Sequence, residues 1–343
     1  FPKDPNCEIC NSCKIQKARC GNKRHGEPDD LPKPLKFADC VTADHQIIGE
    51  EDASRKGHKV ALIVLDRFTH WLQGYPAKQK SAEETQSAFQ RFFGPQVKPE
   101  HVYSDCSPEI QAALRNLGFS KDTSRPYRPQ TNGVAERAVR KTKEGTSCVL
   151  QQSGFDHGWW AEAMACFCFL RNVTEILANG FTPYEARFGT PFKGPKIAFG
   201  TLVEYLPSAP KDEERREKYG SKTLHGFFIG YDQRAGGSWS GDLFVVDWDE
   251  MENADMASSV LVKRVAAKEV VTQRNATFPL AEGSCRQPAT RTSDRAQLRG
   301  GRRRSKPFRS EPDLEEDEGV PRGSQLFSND DGEARASQVE PEE

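Results

Sequence analysis

The sequence predicts a mixed α/β core, followed by a small all-β domain and a charged tail. Over residues 36–195, strand and helix patterns follow the order β-β-β-α-β-α-β-α-α, which is typical of a mixed sheet with a hairpin meander before its crossovers. Over residues 196–278, short strands alternate with Gly and charged turns, which indicates a small β-barrel or sandwich. Residues 279–343 are rich in Arg, Ser, Asp, Glu and Pro, so we expect a disordered tail.

The first half of the core is predicted from three segments. Residues 36–48 have the pattern of a strand, and residues 57–76 have the pattern of two strands joined by a short polar turn near Arg67. Residues 81–93 predict a helix, because Ser81 and the Glu three positions later fit a capping box. These segments supply the meander and the first crossover.

The second half of the core alternates strands with helices. We predict strands over 101–105 and 119–123, and helices over 109–118, 132–152 and 158–174. The last of these helices is mostly apolar, so its Trp159, Trp160, Cys166 and Cys168 are expected to be core residues.

The composition limits the class of protein. The 343 residues suffice for two or three domains, and a formal net charge of −1 indicates no particular partner. There is no apolar run of membrane-spanning length and no signal-peptide pattern, so we expect neither a membrane partner nor secretion. The chain begins with Phe rather than Met, and we expect it to be a piece of something longer.

Four Cys residues crowd into the first 20 residues, within a segment over 1–35 that ends in a Pro-rich linker. Cys7, Cys10, Cys13 and Cys20 have the spacing C-x2-C-x2-C-x6-C, with His25 after them. A short turn can direct two thiolates at one tetrahedral ion, so the segment predicts a zinc site. The alternative is a set of free thiols in a disordered segment.

Several carboxylates stand where ligands collect, at strand ends and a helix start. Asp105 ends a predicted strand, Glu136 lies in the first turn of a predicted helix, and Asp39 and Asp44 lie in or beside the first strand. Three carboxylates that meet would repel one another, and divalent cations such as Mg²⁺ would remove that repulsion. Alternatively, Asp105 caps the next helix and Glu136 simply suits a helix N-terminus.

The segment around Glu136 is strongly basic. Residues 121–143 contain seven Lys or Arg against two acids, and Arg140 and Lys143 fall on the helical face of Glu136. A carboxylate flanked by cations suits a phosphodiester substrate, because the cations can hold the backbone. A solvated basic face is the alternative. Near the other end, "RRRSK" (302–306) favours a location in the nucleus, or with nucleic acid in the cytoplasm.

Two segments resemble motifs of retroviral and retrotransposon integrases, the DDE family. "YSDCSPE" (103–109) resembles "SDN-x-x-E", and "RPYRPQTNGVAERAVR" resembles "PY-x-PQ-x-NG-x-AER", which carries the family's third acid. "HGFFIGYD" resembles the "FLGY" strand of copia-type integrases. The match runs over about residues 36–270 and implies an RNase H-like core, a small β-barrel after it, and a Pol polyprotein as parent.

By position, the resemblance makes Asp105 the second acid and Glu136 the third. The first acid is open between two residues. Asp44 stands 22 positions before Asp66, about the family spacing, whereas Asp39 fits the local pattern of apolar neighbours better. We choose Asp44 and keep Asp39 as the alternative.

The implied activity is DNA integration, in which 3′-end processing precedes strand transfer. The resemblance implies two Mg²⁺ or Mn²⁺ ions on the three acids, DNA as partner, and self-association into a homo-oligomer. It places Gln130 and Asn132 near the DNA end. The residues implied to bind DNA on the helix are Arg137, Arg140, Lys141 and Lys143.

Other features leave alternatives open. The family carries a zinc module whose C-x2-C half matches Cys7 and Cys10 by position. Cys106 replaces the usual Asn, and the separation of Asp105 from Glu136 is shorter than in the family, which favours a catalytically inactive DNA-binding relic. A ribonuclease H-type nuclease is a second alternative, although the "NGVAER" segment argues against it.

Overall fold

The computed structural model describes Asp4 and residues 6–14, 33–123, 133–216 and 218–290, within one compact unit that spans Phe1–Gly301. The second unit, Arg302–Glu343, lies outside the described residues. The strands are β1 (Val41–Ile47), β2 (Val60–Asp66), β3 (Leu72–Ala77), β4 (Val102–Ser104), β5 (Lys121–Thr123), β6 (Leu202–Tyr205), β7 (Leu224–Gln233), β8 (Trp239–Asp247), β9 (Lys263–Ala266) and β10 (Val270–Thr272). The helices are α1 (Glu8–Cys13), α2 (Ala82–Phe93), α3 (Pro108–Leu117), α4 (Gly133–Ser153), α5 (Trp160–Thr174), α6 (Pro183–Phe188), α7 (Pro210–Glu213) and α8 (Trp248–Asn253).

The first sheet has the strand order β3-β2-β1-β4-β5. β2 pairs antiparallel with both β1 and β3, whereas β4 and β5 extend the sheet by parallel pairing. Because a parallel neighbour needs a crossover connection, α2 links β3 to β4 and α3 links β4 to β5. This is the RNase H-like arrangement, so the predicted mixed α/β class is confirmed.

Local sequence signals set the ends of the two crossover helices. The Ser81 Oγ accepts a hydrogen bond from the Glu84 N–H at 3.2 Å, which satisfies a free donor at the start of α2. Gly118 ends α3 in the left-handed conformation at φ 63°, which glycine adopts without steric cost. Both helix ends lie where the sequence predicts them.

The long helices α4 and α5 cover the sheet. α4 packs against β1, β2 and α5. Gly145 allows this approach, because a Cβ there would lie 2.0 Å from the ring of Phe167. Trp159, Cys166 and Cys168 are buried, as predicted. Although α5 is mostly apolar, none of the helices that the structure describes is long and apolar enough to cross a membrane.

The second sheet has the order β10-β6-β7-β8-β9 and is antiparallel throughout, which confirms a small all-β region after the core. Among the described strands, its pairing is that of an open sheet with β10 and β9 at the edges. The ring centroid of Phe155 lies 4.9 Å from that of Phe199 and 5.9 Å from that of Phe227. Both sheets therefore contribute to one hydrophobic core, and the boundary at residue 196 stays a prediction.

The start of the predicted disordered tail needs a correction. Within residues 279–290, the side chains of Leu280, Cys285 and Ala289 are buried, and the Ala257 N–H donates to the Ala289 carbonyl at 2.8 Å. These few apolar residues find partners on the core, which average composition does not indicate. The rest of the predicted tail, residues 291–343, lies outside the described residues.

Candidate active site

Two of the predicted acids lie side by side at neighbouring parallel strands. β1 and β4 pair in parallel with Ala43 opposite Ser104. Asp44 follows Ala43 within β1, and Asp105 directly follows the end of β4. Both carboxylates therefore lie at the edge of the sheet where β4 ends. The strand register brings them together, although 61 positions separate them in the sequence.

The electrostatics of Asp44 connect all three acids. Burial and then the negative charges of Asp105 and Glu136 together raise the pKa of Asp44 to about 6. Lys80 opposes this change. The helix start that carries Glu136 is therefore within electrostatic reach of the two strand carboxylates.

Asp105 also has a local structural role. Its Oδ1 accepts the Ser107 N–H at 3.1 Å, and its carbonyl accepts the Ser104 hydroxyl at 3.0 Å. The first of these contacts closes a turn that precedes α3. The N-cap of α3 is Ser107 and has no side-chain cap hydrogen bond, so Asp105 does not cap the helix as the alternative predicted. One carboxylate oxygen is thus fixed in position at the sheet edge.

Asp39 serves the turn that precedes β1. Its Oδ2 accepts the backbone N–H groups of Leu35 and Lys36 at 2.8 and 2.9 Å, and its Oδ1 lies 3.8 Å from the Lys36 ammonium. The structure thus engages Asp39 in its own turn, while Asp44 faces the other acids. The choice between them as first acid remains a prediction.

The predicted DNA-binding residues of α4 fall on different sides of the helix. Glu136, Arg140 and Lys143 are exposed at positions i, i+4 and i+7, which form one stripe. Arg137 is also exposed, whereas Lys141 is half-buried and forms an ion pair with Glu175. The predicted loop residues Gln130 and Asn132 lie outside the described residues.

Sequence reasoning missed three polar neighbours of this edge. The Lys80 ammonium lies 3.2 Å from a Glu109 carboxylate oxygen, and it also acts electrostatically on Asp44. Burial, assisted by Lys80, lowers the pKa of His45 to about 4, so its ring is neutral at pH 7. These three residues lie in different parts of the sequence, and the sequence alone does not indicate that they lie near the same edge of the sheet.

Sequence comparison relates this site to known proteins. The chain is 29% identical over 167 residues to a Pol polyprotein of Feline endogenous virus ECE1, covering 46% of this chain and 15% of that polyprotein. It is 28% identical over 185 residues to a retrovirus-related Pol polyprotein from transposon RE1 of Arabidopsis thaliana. This match covers 52% of this chain and 12% of that polyprotein. The chain is a relative of retroviral and retrotransposon Pol polyproteins. The predicted resemblance is thereby confirmed.

The chain spans less than one sixth of the length of those two polyproteins. No protein-family model matches the chain. Among solved structures, the catalytic core domain of BIV integrase aligns with a TM-score of 0.32 and 22% identity, over 43% of this chain and 92% of that one.

The three candidate carboxylates of the chain are ligands that suit a hard divalent cation. Asp44, Asp105 and Glu136 supply carboxylate oxygens, which Mg²⁺ and Mn²⁺ accept. The pKa of Asp44 is raised by burial and then by the charges of Asp105 and Glu136, and a cation would neutralise those charges. Within the described ranges, no three His, Cys, Asp or Glu side chains lie close enough together to hold a metal ion. The residue types fit a metal centre, and α4, which carries Glu136 in its first turn, begins directly after residues 124–132, which the structure does not describe.

The N-terminal cysteines form a small helical turn on α4. The Cys10 N–H donates to the Cys7 Sγ at 3.4 Å, and the Cys13 thiol donates to Gln151 at 2.8 Å. Burial raises the pKa of the adjacent Cys148 thiol to about 12, which disfavours its thiolate form. Cys20 and His25 lie outside the described residues. The residues that are described give no support to zinc, which stays a prediction.

Proposed function

We propose that the chain is an integrase that carries out metal-dependent 3′-end processing and strand transfer on DNA. The observation that carries the proposal is the parallel register of β1 and β4, which places Asp44 beside Asp105 at one edge of an RNase H-like sheet. The charge of Glu136, in the first turn of α4, also acts on Asp44. The similarity to retroviral and retrotransposon Pol polyproteins, over about half of the chain, supports it. The ribonuclease H alternative shares this edge and would differ in substrate.

In this proposal the three acids hold divalent cations, with Asp44 as the first acid. A bound Mg²⁺ or Mn²⁺ pair would activate a nucleophile and stabilise the charge on the leaving oxygen. Asp105 is held toward the edge by its bond from the Ser107 N–H, so it needs little reorganisation to bind a cation. The ammonium of Lys80 offsets part of the repulsion near Asp44.

The exposed stripe of α4 is proposed to hold DNA. Arg140 and Lys143 follow Glu136 on the same face and would contact phosphates beside the acids. Gln130 and Asn132 would contact the DNA end from the preceding loop. DNA as partner, self-association and a location in the nucleus or with cytoplasmic nucleic acid belong to this proposal.

Strand-transfer assays with Mg²⁺ or Mn²⁺ on oligonucleotide ends test the proposal. Asp44→Asn, Asp105→Asn and Glu136→Gln should each reduce product to background, because each removes a cation ligand. Asp39→Asn is the matched control and should retain activity, since Asp39 serves the turn before β1. Product formation that survives Asp105→Asn or Glu136→Gln would refute catalysis by these acids.

The relic alternative rests on two observations. Cys106 stands beside Asp105 where the family has Asn, and the described carboxylates are not grouped closely enough to hold a metal. A relic would bind DNA and show no strand transfer with either metal. Wild-type chain that cleaves RNA–DNA hybrids but not DNA ends would instead favour the ribonuclease.

A further inference from the structure

A cavity of about 360 Å³ lies behind α4, between that helix, the end of α5 and the turn that joins β2 to β3. Leu65, Leu72 and Val134 supply part of its apolar wall. Its polar lining consists of Arg67, His70, Arg137, Lys141 and Arg171. A cavity of this size is in the range of small-molecule sites, and its polar groups are strongly basic.

This cavity is distinct from the candidate active site. Arg137 and Lys141 follow Glu136 by one and five positions, so at 100° per residue they lie about 100° and 140° around α4 from it. Lys141 is directed toward Glu175, just after α5, rather than toward the sheet edge. Neither the exposed stripe of α4 nor the three acids line the cavity.

Among the described residues, the lining of the cavity contains cationic side chains and no acidic one. Lys141 and Arg171 share one carboxylate, that of Glu175. Burial and then the charge of Arg171 lower the pKa of Lys141, so the two cations repel each other even with Glu175 between them. Asp66 lies nearby, but its oxygens accept the N–H groups of Ala38 and Thr69. An anion would relieve this repulsion.

The turn at the mouth of the cavity is conformationally strained. His70 has a φ of 56°, in the left-handed region that residues other than glycine rarely adopt. Its carbonyl accepts a hydrogen bond from the Arg171 guanidinium, which holds the turn against α5. Strained backbone of this kind is frequent at ligand sites. The neutral His70 ring, whose pKa burial and then Arg171 lower, can still donate one N–H.

We propose that this cavity binds a phosphate group. Guanidinium groups pair with phosphate oxygens through two parallel N–H donors, and Arg67 and Arg137 stand on two different walls to do so. The volume leaves room for part of a nucleoside against the apolar wall. The phosphate would come either from free phosphate and mononucleotides or from a nucleic acid strand.

Calorimetric titration of the full chain, in EDTA, distinguishes these sources. The probes are inorganic phosphate, AMP and a 12-nucleotide single strand. Arg137→Gln and Arg67→Gln should each weaken phosphate binding by about 10-fold or more, the scale of a charge-assisted hydrogen bond. Arg115→Gln, an exposed arginine on α3, is the matched control and should bind like wild type.

Histidine-selective NMR locates the bound phosphate. Phosphate should shift the His70 ring resonances in wild type, and Arg137→Gln should need about 10-fold more phosphate or higher for the same shift. If AMP and phosphate shift His70 but the strand does not, the ligand is a free phosphate; if the strand does so at lower concentration, it is a nucleic acid. Phosphate affinity that is undetectable, or unchanged in both arginine variants, would overturn the proposal. These titrations contain EDTA and do not measure strand transfer. A chain that failed the strand-transfer assay could therefore still bind phosphate, so the two proposals are tested separately.

Discussion

Replacing Asp44 with Asn should stabilise the metal-free protein at neutral pH. Asp44 is largely buried beside Asp105 and Glu136, and its ionised form is penalised by burial and by these two charges. Asn has nearly the same shape and no charge. The substitution that should abolish strand transfer should therefore increase the free energy of unfolding.

The size of the effect follows from the pKa. A folded-state pKa of about 6, against an ordinary value of 3.8, corresponds to at most about 3 kcal/mol, since one pKa unit is about 1.4 kcal/mol. Below pH 3.8 Asp44 is protonated in both states, and the penalty is absent. Between pH 3.8 and 6 only the folded state keeps the proton, so wild-type stability falls as pH rises. Above pH 6 the full penalty applies.

Urea unfolding at pH 4, 5, 6 and 7 in EDTA measures this difference. The gain of Asp44→Asn over wild type should grow from near zero to about 3 kcal/mol across the series. Glu109→Gln is a control of opposite sign, because a hydrogen bond from Ser107 lowers the pKa of Glu109 to about 2. The stability of Glu109→Gln relative to wild type should fall as pH rises through about 2–4.5 and level off above pH 5, where the gain of Asp44→Asn still grows. Added Mg²⁺ should stabilise wild type more than Asp44→Asn, since only wild type has all three acids.

A gain for Asp44→Asn that does not change with pH would refute the assignment of the penalty to an ionised Asp44. A variant less stable than wild type at pH 7 would do the same.

Three further substitutions test the packing that positions the site. Gly145→Ala places a Cβ 2.0 Å from the Phe167 ring and should cost about 1–3 kcal/mol in urea unfolding, despite a helix-propensity gain of about 1; unchanged stability would contradict the close α4–α5 approach. Arg55→Met leaves the buried Glu162 without the guanidinium that lies 2.7 Å away and should cost about 3–5 kcal/mol, part of which Glu162→Leu should restore in the double variant. Ser81→Ala removes the N-cap of α2 and should cost about 1 kcal/mol; a thermal melt that matches wild type would count against the cap.

Much of the core could be predicted because its signals are local. The cap at Ser81 and the left-handed Gly118 are properties of a few adjacent residues, and the helices begin and end there as predicted. The packed segment over 279–290 was missed for the opposite reason. The backbone at Leu280 lies against Gly154, and the Gln287 side chain donates to the Gly154 carbonyl, more than a hundred positions away in the sequence. Composition averages these contacts with the charged residues that follow.

The choice of first acid shows the same limit within the site. The local pattern of apolar neighbours favoured Asp39, whereas the spacing to Asp66 favoured Asp44. The two signals disagreed because neither specifies how the strands pair. The parallel pairing of Ala43 with Ser104 puts Asp44 beside Asp105, which supports Asp44, although the choice between the two stays a prediction. Lys80 was missed because its connection to this edge likewise depends on sheet pairing.

Helix α4 explains why a basic segment should not be treated as one surface. The sequence groups Arg137, Arg140, Lys141 and Lys143 by proximity to Glu136. The structure separates them, because α4 carries the acid's exposed stripe on one side and contacts α5 on the other. A partner for Lys141 lies 34 positions further along the chain, at Glu175, and no local pattern predicts that pairing. Substitutions on the two sides therefore report on different events. Loss of Arg140 or Lys143 should weaken DNA binding beside the acids, whereas loss of Arg137 should first weaken phosphate binding in the cavity behind them.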